Sequence, residues 1–287
     1  MRAKRPSQTA SFVAFARAVA AAGFTSIPSF SDPVVASLLS PRWARAVRVV
    51  TRRFERLDRA KRERVIAQLD VIPMRVAAID HELEKAVSAG IRQVVILGAG
   101  LDTRALRMRS LAEATVYEVD HPATQSEKRQ RTFLMQPLAR SVVFVPVDFE
   151  RDGLSACLKN AGHDPAVPTV WVWEGVVMYL SDAALVSTLD GVARSSARGT
   201  RLIVHYHEPA GRRGRFFRVK NLVLRLWGEP QIGERRRELM ATRVRAAGFD
   251  VESDTGPEEW ARELKARVPA GETARISRLL VAMRGAE

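Results

Sequence analysis

The chain has 287 residues, 46% of them hydrophobic, which is enough for a sizeable core and excludes both a wholly disordered chain and a small disulfide-stapled module. No apolar run long enough to span a membrane exists, and one cysteine, Cys157, permits neither an internal disulfide nor a thiolate metal cluster, so a soluble, cytoplasmic chain is expected. The net charge of +14 rests on 39 Arg and only 7 Lys, and it is concentrated in residues 1–64 and 194–245, each with 14 cations and 4 anions; any basic function belongs to those two segments.

Arg2, Lys4 and Arg5 precede an apolar stretch from Phe12 to Phe24, but Arg17 inside it favours an amphipathic helix over a leader. Helices are predicted over Ser11–Ala22, Val34–Leu39 and Arg42 to about Ile72, where Pro73 should break or kink the chain. Another should run from about Met74 to Ser88 and close at Gly90. The character then changes. Short apolar runs at Gln93–Leu97, Thr115–Val119, Val142–Val147, Thr169–Trp173 and Arg201–Tyr206 read as strands buried on both faces. Helical stretches lie between them, at Asp102–Arg109, Pro122–Met135, Leu154–Ala161 and Asp182–Ala197. After about thirty irregular residues come a helix near Glu234–Ala247, a strand at Phe249–Ser253, a helix near Pro257–Lys265 and a strand at Arg275–Met283. This rhythm predicts an α/β fold: a doubly wound, mostly parallel, seven-stranded sheet. A helical N-terminal cap would occupy residues 1–90 and the sheet domain 91–287, with an insertion after the fifth strand at about 208–233.

The first strand runs into Gly98-Ala99-Gly100-Leu101-Asp102-Thr103, where glycines let backbone approach a ligand. Thr103 replaces the third glycine of a dinucleotide fingerprint. Asp120 follows the second strand, 22 residues after Gly98; it suits a pair of ribose hydroxyls, or simply caps the helix begun by Pro122. Glu118 shares its face. The third strand ends in Asp148-Phe149 and the fourth in Glu174-Gly175. Four such ends in register mark a ligand edge, and S-adenosylmethionine, with ribose hydroxyls, an adenine amine and a positive centre, fits these acceptors better than a dinucleotide does. At the end of the fifth strand His205 and His207 share one face, opposite Tyr206. Either is a candidate base; as a metal pair they lack evident third and fourth ligands, so no metal is expected.

The stretches Gln93-VVILGAGLDTRALRM-Arg109, Val116-YEVDHPATQSEKR-Gln130, Val143-FVPVDFERDGL-Ser155 and Val172-WEGVVMYL-Ser181 resemble the leucine carboxyl methyltransferase-like family of class I S-adenosylmethionine-dependent methyltransferases, whose bacterial branch includes O-methyltransferases of polyketide biosynthesis. The resemblance extends to Trp227-GEP and Ala247-GFDV-Glu252, and back to Thr9-ASFVAFARA-Val19. It implies a Rossmann-like domain in which Gly98, Ala99, Gly100 and Asp102 pass beneath the methionine part of the cofactor. It also implies that Asp120 holds the ribose, that Asp148 with Phe149 holds adenine, and that Glu174 lies near the amino group. Arg75 stands where the family's A-R-T-x-x-x-D motif has an arginine for the cofactor carboxylate, although the neighbouring Ala and Thr are here Met74 and Val76.

A carboxylate acceptor needs no base, whereas a phenol or alcohol would be helped by one. The reading is therefore an O-methyltransferase acting on a small secondary-metabolite acid, with a hydroxyl acceptor and a His205 or His207 base as the rival. Tyr179 is expected to line the acceptor cleft. So are Phe216 and Phe217, within an arginine-rich insertion suited to an anionic, partly aromatic substrate. Glu174-Gly175-Val176-Val177 replaces the Asn/Asp-Pro-Pro-aromatic block of base methyltransferases, which argues against a nucleic-acid acceptor. No membrane partner is expected, and oligomeric state is left open.

Overall fold

The computed structural model describes residues 7–209 and 231–285. Seven strands, β1 (Gln93–Leu97), β2 (Thr115–Asp120), β3 (Ser141–Pro146), β4 (Thr169–Trp173), β5 (Arg201–His207), β6 (Asp250–Thr255) and β7 (Ser277–Met283), form one sheet in the order β3-β2-β1-β4-β5-β7-β6. All pairings from β3 across to β5 are parallel, and β7 runs antiparallel to both β5 and β6. The chain leaves β1 in one direction and returns to β4 on its other side. That reversal opens a crevice at the carboxyl ends of β1 and β4.

β1 and β4 are buried along their whole length, as their unbroken apolar runs require. Trp171 and Trp173 face one side, packed with Tyr117, Leu202 and Tyr206 beneath α8 (Asp182–Arg194) and α9 (Arg237–Ala246). Trp171 keeps its indole N–H satisfied by donating to Ser196 Oγ at 2.9 Å. On the other side Ile96, Val170, Val172 and Ile203 pack against Met74, Ile79 and Leu83 of α4 (Val71–Ser88) and Trp260 of α10 (Pro257–Glu263).

The N-terminal layer begins with α1 (Gln8–Ala21), capped by Ser7 Oγ accepting from the Ala10 N–H at 3.0 Å. A 3₁₀ turn (Val35–Leu38) leads into α2 (Pro41–Glu55), with Pro41 at its first position, where a missing N–H costs nothing. The single helix expected from Arg42 to Ile72 is in fact two. α2 stops at Glu55, and Asp58 caps α3 (Arg59–Leu69) by accepting from the Lys61 N–H at 2.8 Å. Pro73 breaks nothing: it sits in the first turn of α4, whose amides have no intrahelical partner. The helix expected over Asp102–Arg109 shrinks to one turn, α5 (Arg104–Arg107), followed by a 3₁₀ turn. α6 (Pro122–Thr132) and α7 (Leu154–Asn160) end one to three residues early. The last strand begins two residues late because Glu272–Ile276 form a helical turn, α11. Most of the insertion, with Phe216, Phe217 and Trp227, lies outside the described residues. Among the described helices none is long and apolar enough to cross a membrane.

Candidate functional site

A cavity of about 500 Å³ opens at the carboxyl ends of the strands, roofed by α1. Its wall carries Gly98, Ala99, Gly100 and Asp102 from the loop after β1, Asp120 from β2, and Asp148 and Phe149 after β3. Glu174 after β4, Arg75 from α4 and Tyr179 complete it. Nine residues expected at a cofactor thus face one space.

The glycine loop is held by its neighbours. The Gly98 and Ala99 N–H groups donate to Val119 O at 2.7 and 3.0 Å. The Gly100 N–H donates to Asp120 Oδ2, and the His121 N–H donates to Asp120 Oδ1 at 2.6 Å. Asp120 therefore shapes the loop as well as facing the cavity, while the cap of α6 falls to His121, whose Nδ1 accepts from the Ala123 N–H at 3.3 Å. Gly98 has φ +68°, and a Cβ there would lie 2.1 Å from Val176 Cγ2, so no side chain fits.

Behind the loop is a chain of buried ion pairs. Arg75 grips Glu174 Oε1 through Nε and Nη2, both at 2.8 Å. Arg104, fully buried, donates to Asp80 Oδ1 at 2.6 Å, to Glu174 Oε2 at 2.8 Å and to Asp102 Oδ2. Arg107 binds Asp80 Oδ2 at 2.6 Å. Arg17 of α1 pairs with Asp32 and donates to Leu101 O at 3.0 Å and to Thr103 Oγ1. Burial pushes the Asp102 carboxyl up, but Arg104, Lys128 and Arg17 outweigh it and hold it at about 2. Burial likewise opposes ionisation of Glu174, and Arg75 with Arg104 reverses the sign, leaving it below the usual range. Asp120 stands above its ordinary value, because desolvation exceeds the help of its two backbone donors.

Several expected residues lie elsewhere. His205 and His207 are not on the cavity wall; period two turns both toward the face covered by α4, where their rings meet edge to face at 5.1 Å. Burial, with Arg75 and His207 adding to it, drives the His205 pKa well below its ordinary value. Glu118 points away from the cavity and pairs with Lys128. Phe216 and Phe217 lie outside the described residues. Among the described residues no cluster of His, Cys, Asp or Glu could hold a metal ion.

Four residues of the site and its support were not singled out for it in the sequence. α1 supplies Ala10, Val13 and Arg17 to the wall, and Arg104 clamps the acids beneath it. A lone arginine in the apolar stretch Phe12–Phe24 was itself a signal, since a buried guanidinium must have a partner.

The sequence model of the leucine carboxyl methyltransferase family matches residues 10–193. A Frankia alni protein provisionally named S-adenosyl-L-methionine-dependent methyltransferase is 40% identical over 148 residues, 51% of this chain and 51% of its own. A Mycobacterium marinum protein of the same provisional name is 35% identical over 210 residues, 71% of this chain and 67% of its own. The chain spans about half the length of the Frankia relative it matches. Among solved structures, a DUF574 family protein from Streptomyces avermitilis superposes with a TM-score of 0.59 at 14% identity, covering 97% of this chain and 98% of its own, which shows a shared fold.

Proposed function

We propose, since the chain belongs to the leucine carboxyl methyltransferase family, that it is an S-adenosylmethionine-dependent O-methyltransferase whose acceptor is the carboxylate of a small-molecule acid, of polyketide or other secondary-metabolite type. The observation that carries this reading is the convergence of Asp120, Asp148 and Glu174 with the Gly98–Gly100 loop on one cavity.

The residues present fit the cofactor. Each Asp120 oxygen accepts one backbone N–H, leaving lone pairs for ribose hydroxyls. Asp148 offers an acceptor to the adenine amine and Phe149 a ring to pack against it. Glu174 is a counter-ion for the ammonium group, and Arg75 has Nη1 left for the carboxylate after gripping Glu174 through its other two nitrogens. When bound, S-adenosylmethionine supplies a methyl group on a positively charged sulfur. The protein's own work is placement and the exclusion of water. Ala10 and Val13 of α1 roof the cavity, while Val176, Tyr179, Leu180 and Ile232 give it an apolar side suited to the body of an organic acid.

A carboxylate, ionised at pH 7, needs no proton removed. A phenol or alcohol does, and both candidate histidines sit behind the wall. The test is methyl transfer from labelled S-adenosylmethionine to a panel of carboxylic acids and phenols, followed by mild base. A product that base hydrolyses is an ester and supports the reading. A base-stable product means an ether, and overturns the carboxylate acceptor while leaving the methyltransferase.

A further inference from the structure

The reaction leaves one surface unused. α2 turns Trp43, Ala44, Val47 and Val50 inward against α1, and turns Arg42, Arg45, Arg48, Arg52, Arg53 and Arg56 to solvent. Among the described residues none of these six arginines meets a carboxylate; the only acid on that face is Glu55. Ordinary solvated helices pair such charges at i,i+4, as Arg59 and Glu63 do on α3. α2 does not.

The arginines have apolar company. Val49 lies among them, 58% exposed. At the end of α6, Phe133 and Leu134 are 84% and 89% exposed, side by side. The end of α6 is anchored near the start of α2: Arg131 Nη1 donates to Leu38 O at 2.7 Å, four residues before Arg42, and Met135 packs into the cluster that holds Trp43 and Val47. Adjacent, fully exposed Phe and Leu side chains on a folded surface mark a contact face. An unpaired arginine stripe next to an apolar tip is the chemistry of a helix lying at a lipid–water interface. A nucleic acid would use the arginines and leave Phe133 and Leu134 in water.

We infer that this face docks on an anionic lipid surface, with Phe133 and Leu134 entering the headgroup region and the α2 arginines meeting the lipid charges. A chain with no spanning helix still lies on a bilayer in this way, and the inference is independent of the acceptor. The N-terminal layer that roofs the cavity is then the part nearest the membrane.

Flotation of the full chain with phosphatidylcholine vesicles, with and without phosphatidylserine, tests it. Binding is expected only to the mixed vesicles. Arg42→Gln, Arg45→Gln and Arg48→Gln together should cut partitioning roughly a hundredfold, from about a fivefold contribution per charge. Phe133→Ser with Leu134→Ser should remove the binding that survives added salt. Arg236→Gln, Arg243→Gln and Arg245→Gln, the same charge change in and beside the helix next to β6, should leave partitioning intact. All of these side chains are exposed, and unchanged unfolding temperatures would show the variants folded. Equal loss in the α9 set, no loss in the apolar pair, or retention of duplex DNA in place of vesicles would each overturn the inference.

Discussion

Arg104 and Glu174, seventy positions apart, meet through Nη2 and Oε2 at 2.8 Å, while Arg75 holds the other oxygen of the same carboxylate. The acid at the end of β4 is thereby tied to α4 on one side and to the glycine loop, through Asp102, on the other. Arg104→Met would leave Asp80, Asp102 and Glu174 without their shared counter-charge. Breaking a buried pair in this way costs about 3–5 kcal/mol. Arg104→Lys keeps the charge but loses the fork that reaches three acids, so a smaller loss is expected. Urea unfolding of both variants checks the order, and a wild-type midpoint in Arg104→Met would show that the clamp contributes nothing.

The contact between Gly98 and Val176 sets a second test. Gly98→Ala adds a methyl where Val176 Cγ2 stands 2.1 Å away, at φ +68°. Overpacking of that kind costs about 1–3 kcal/mol and the left-handed conformation about 1 kcal/mol more. Val176→Ala in the same chain removes the obstructing methyl and leaves the backbone term. The double variant should therefore be more stable than Gly98→Ala alone. Additive losses in a double-mutant cycle would mean that the loop shifts instead of clashing.

What was legible in the sequence follows from how far apart the interacting groups are. β1 and β4 were read to the residue because a strand buried on both faces writes itself as a continuous apolar run, and Thr169–Trp173 has no polar interruption after its first residue. The acids at the strand ends were legible because the sheet's register carries each to the same edge. The split between α2 and α3 was missed although Leu57-Asp58 carries a capping signal, since arginines on both sides mask the change of face. Arg104 and Arg107 were illegible for another reason. Their partners lie up to 75 positions away, and nothing local distinguishes them from the other arginines of so arginine-rich a chain.

Acid should destabilise the fold in two windows. His163, buried against Tyr117 and bonded to Thr169 Oγ1, has its pKa lowered to about 4 by desolvation, so only the unfolded chain takes up its proton as pH falls from about 6.5. Stability contributed by the neutral ring is lost between those values and constant below them. Asp102, held at about 2 against an ordinary 3.8, contributes roughly 2 kcal/mol that is present above pH 4 and lost as pH falls toward 2. Denaturant midpoints measured across this range should fall in both windows, and His163→Gln should shrink the upper one, which the buried His205 shares, while leaving the lower one intact. An unchanged upper window in that variant would assign the loss to another group.

The roof of the cavity is the remaining point of leverage. α1 is joined to the sheet domain by apolar packing and by one buried guanidinium: Arg17 reaches Asp32, Leu101 O and Thr103, spanning the N-terminal layer and the glycine loop. Arg17→Met keeps most of the side-chain volume and takes the closer of two guanidinium partners from the buried Asp32, leaving it Arg107 at 3.7 Å, the Thr103 hydroxyl and the Val35 N–H. The cost, about 3 kcal/mol or more, falls where the pair sits. Because α4 and the two faces of the sheet make no ion pair with Arg17, and the Arg104 clamp keeps its own direct contacts, the loss should appear as local opening of α1 before global unfolding. Amide exchange of Ala14–Ala20 should quicken markedly, while Val94–Leu97 in β1 keep their protection. Ligand binding offers a second reading of the same event, since an open roof must close before the cavity is complete. S-adenosylhomocysteine should bind Arg17→Met more weakly, and saturating ligand should slow α1 exchange back toward the wild-type rate. Uniformly faster exchange throughout the chain would show instead that Arg17 supports the whole fold and that α1 does not move as a separate element.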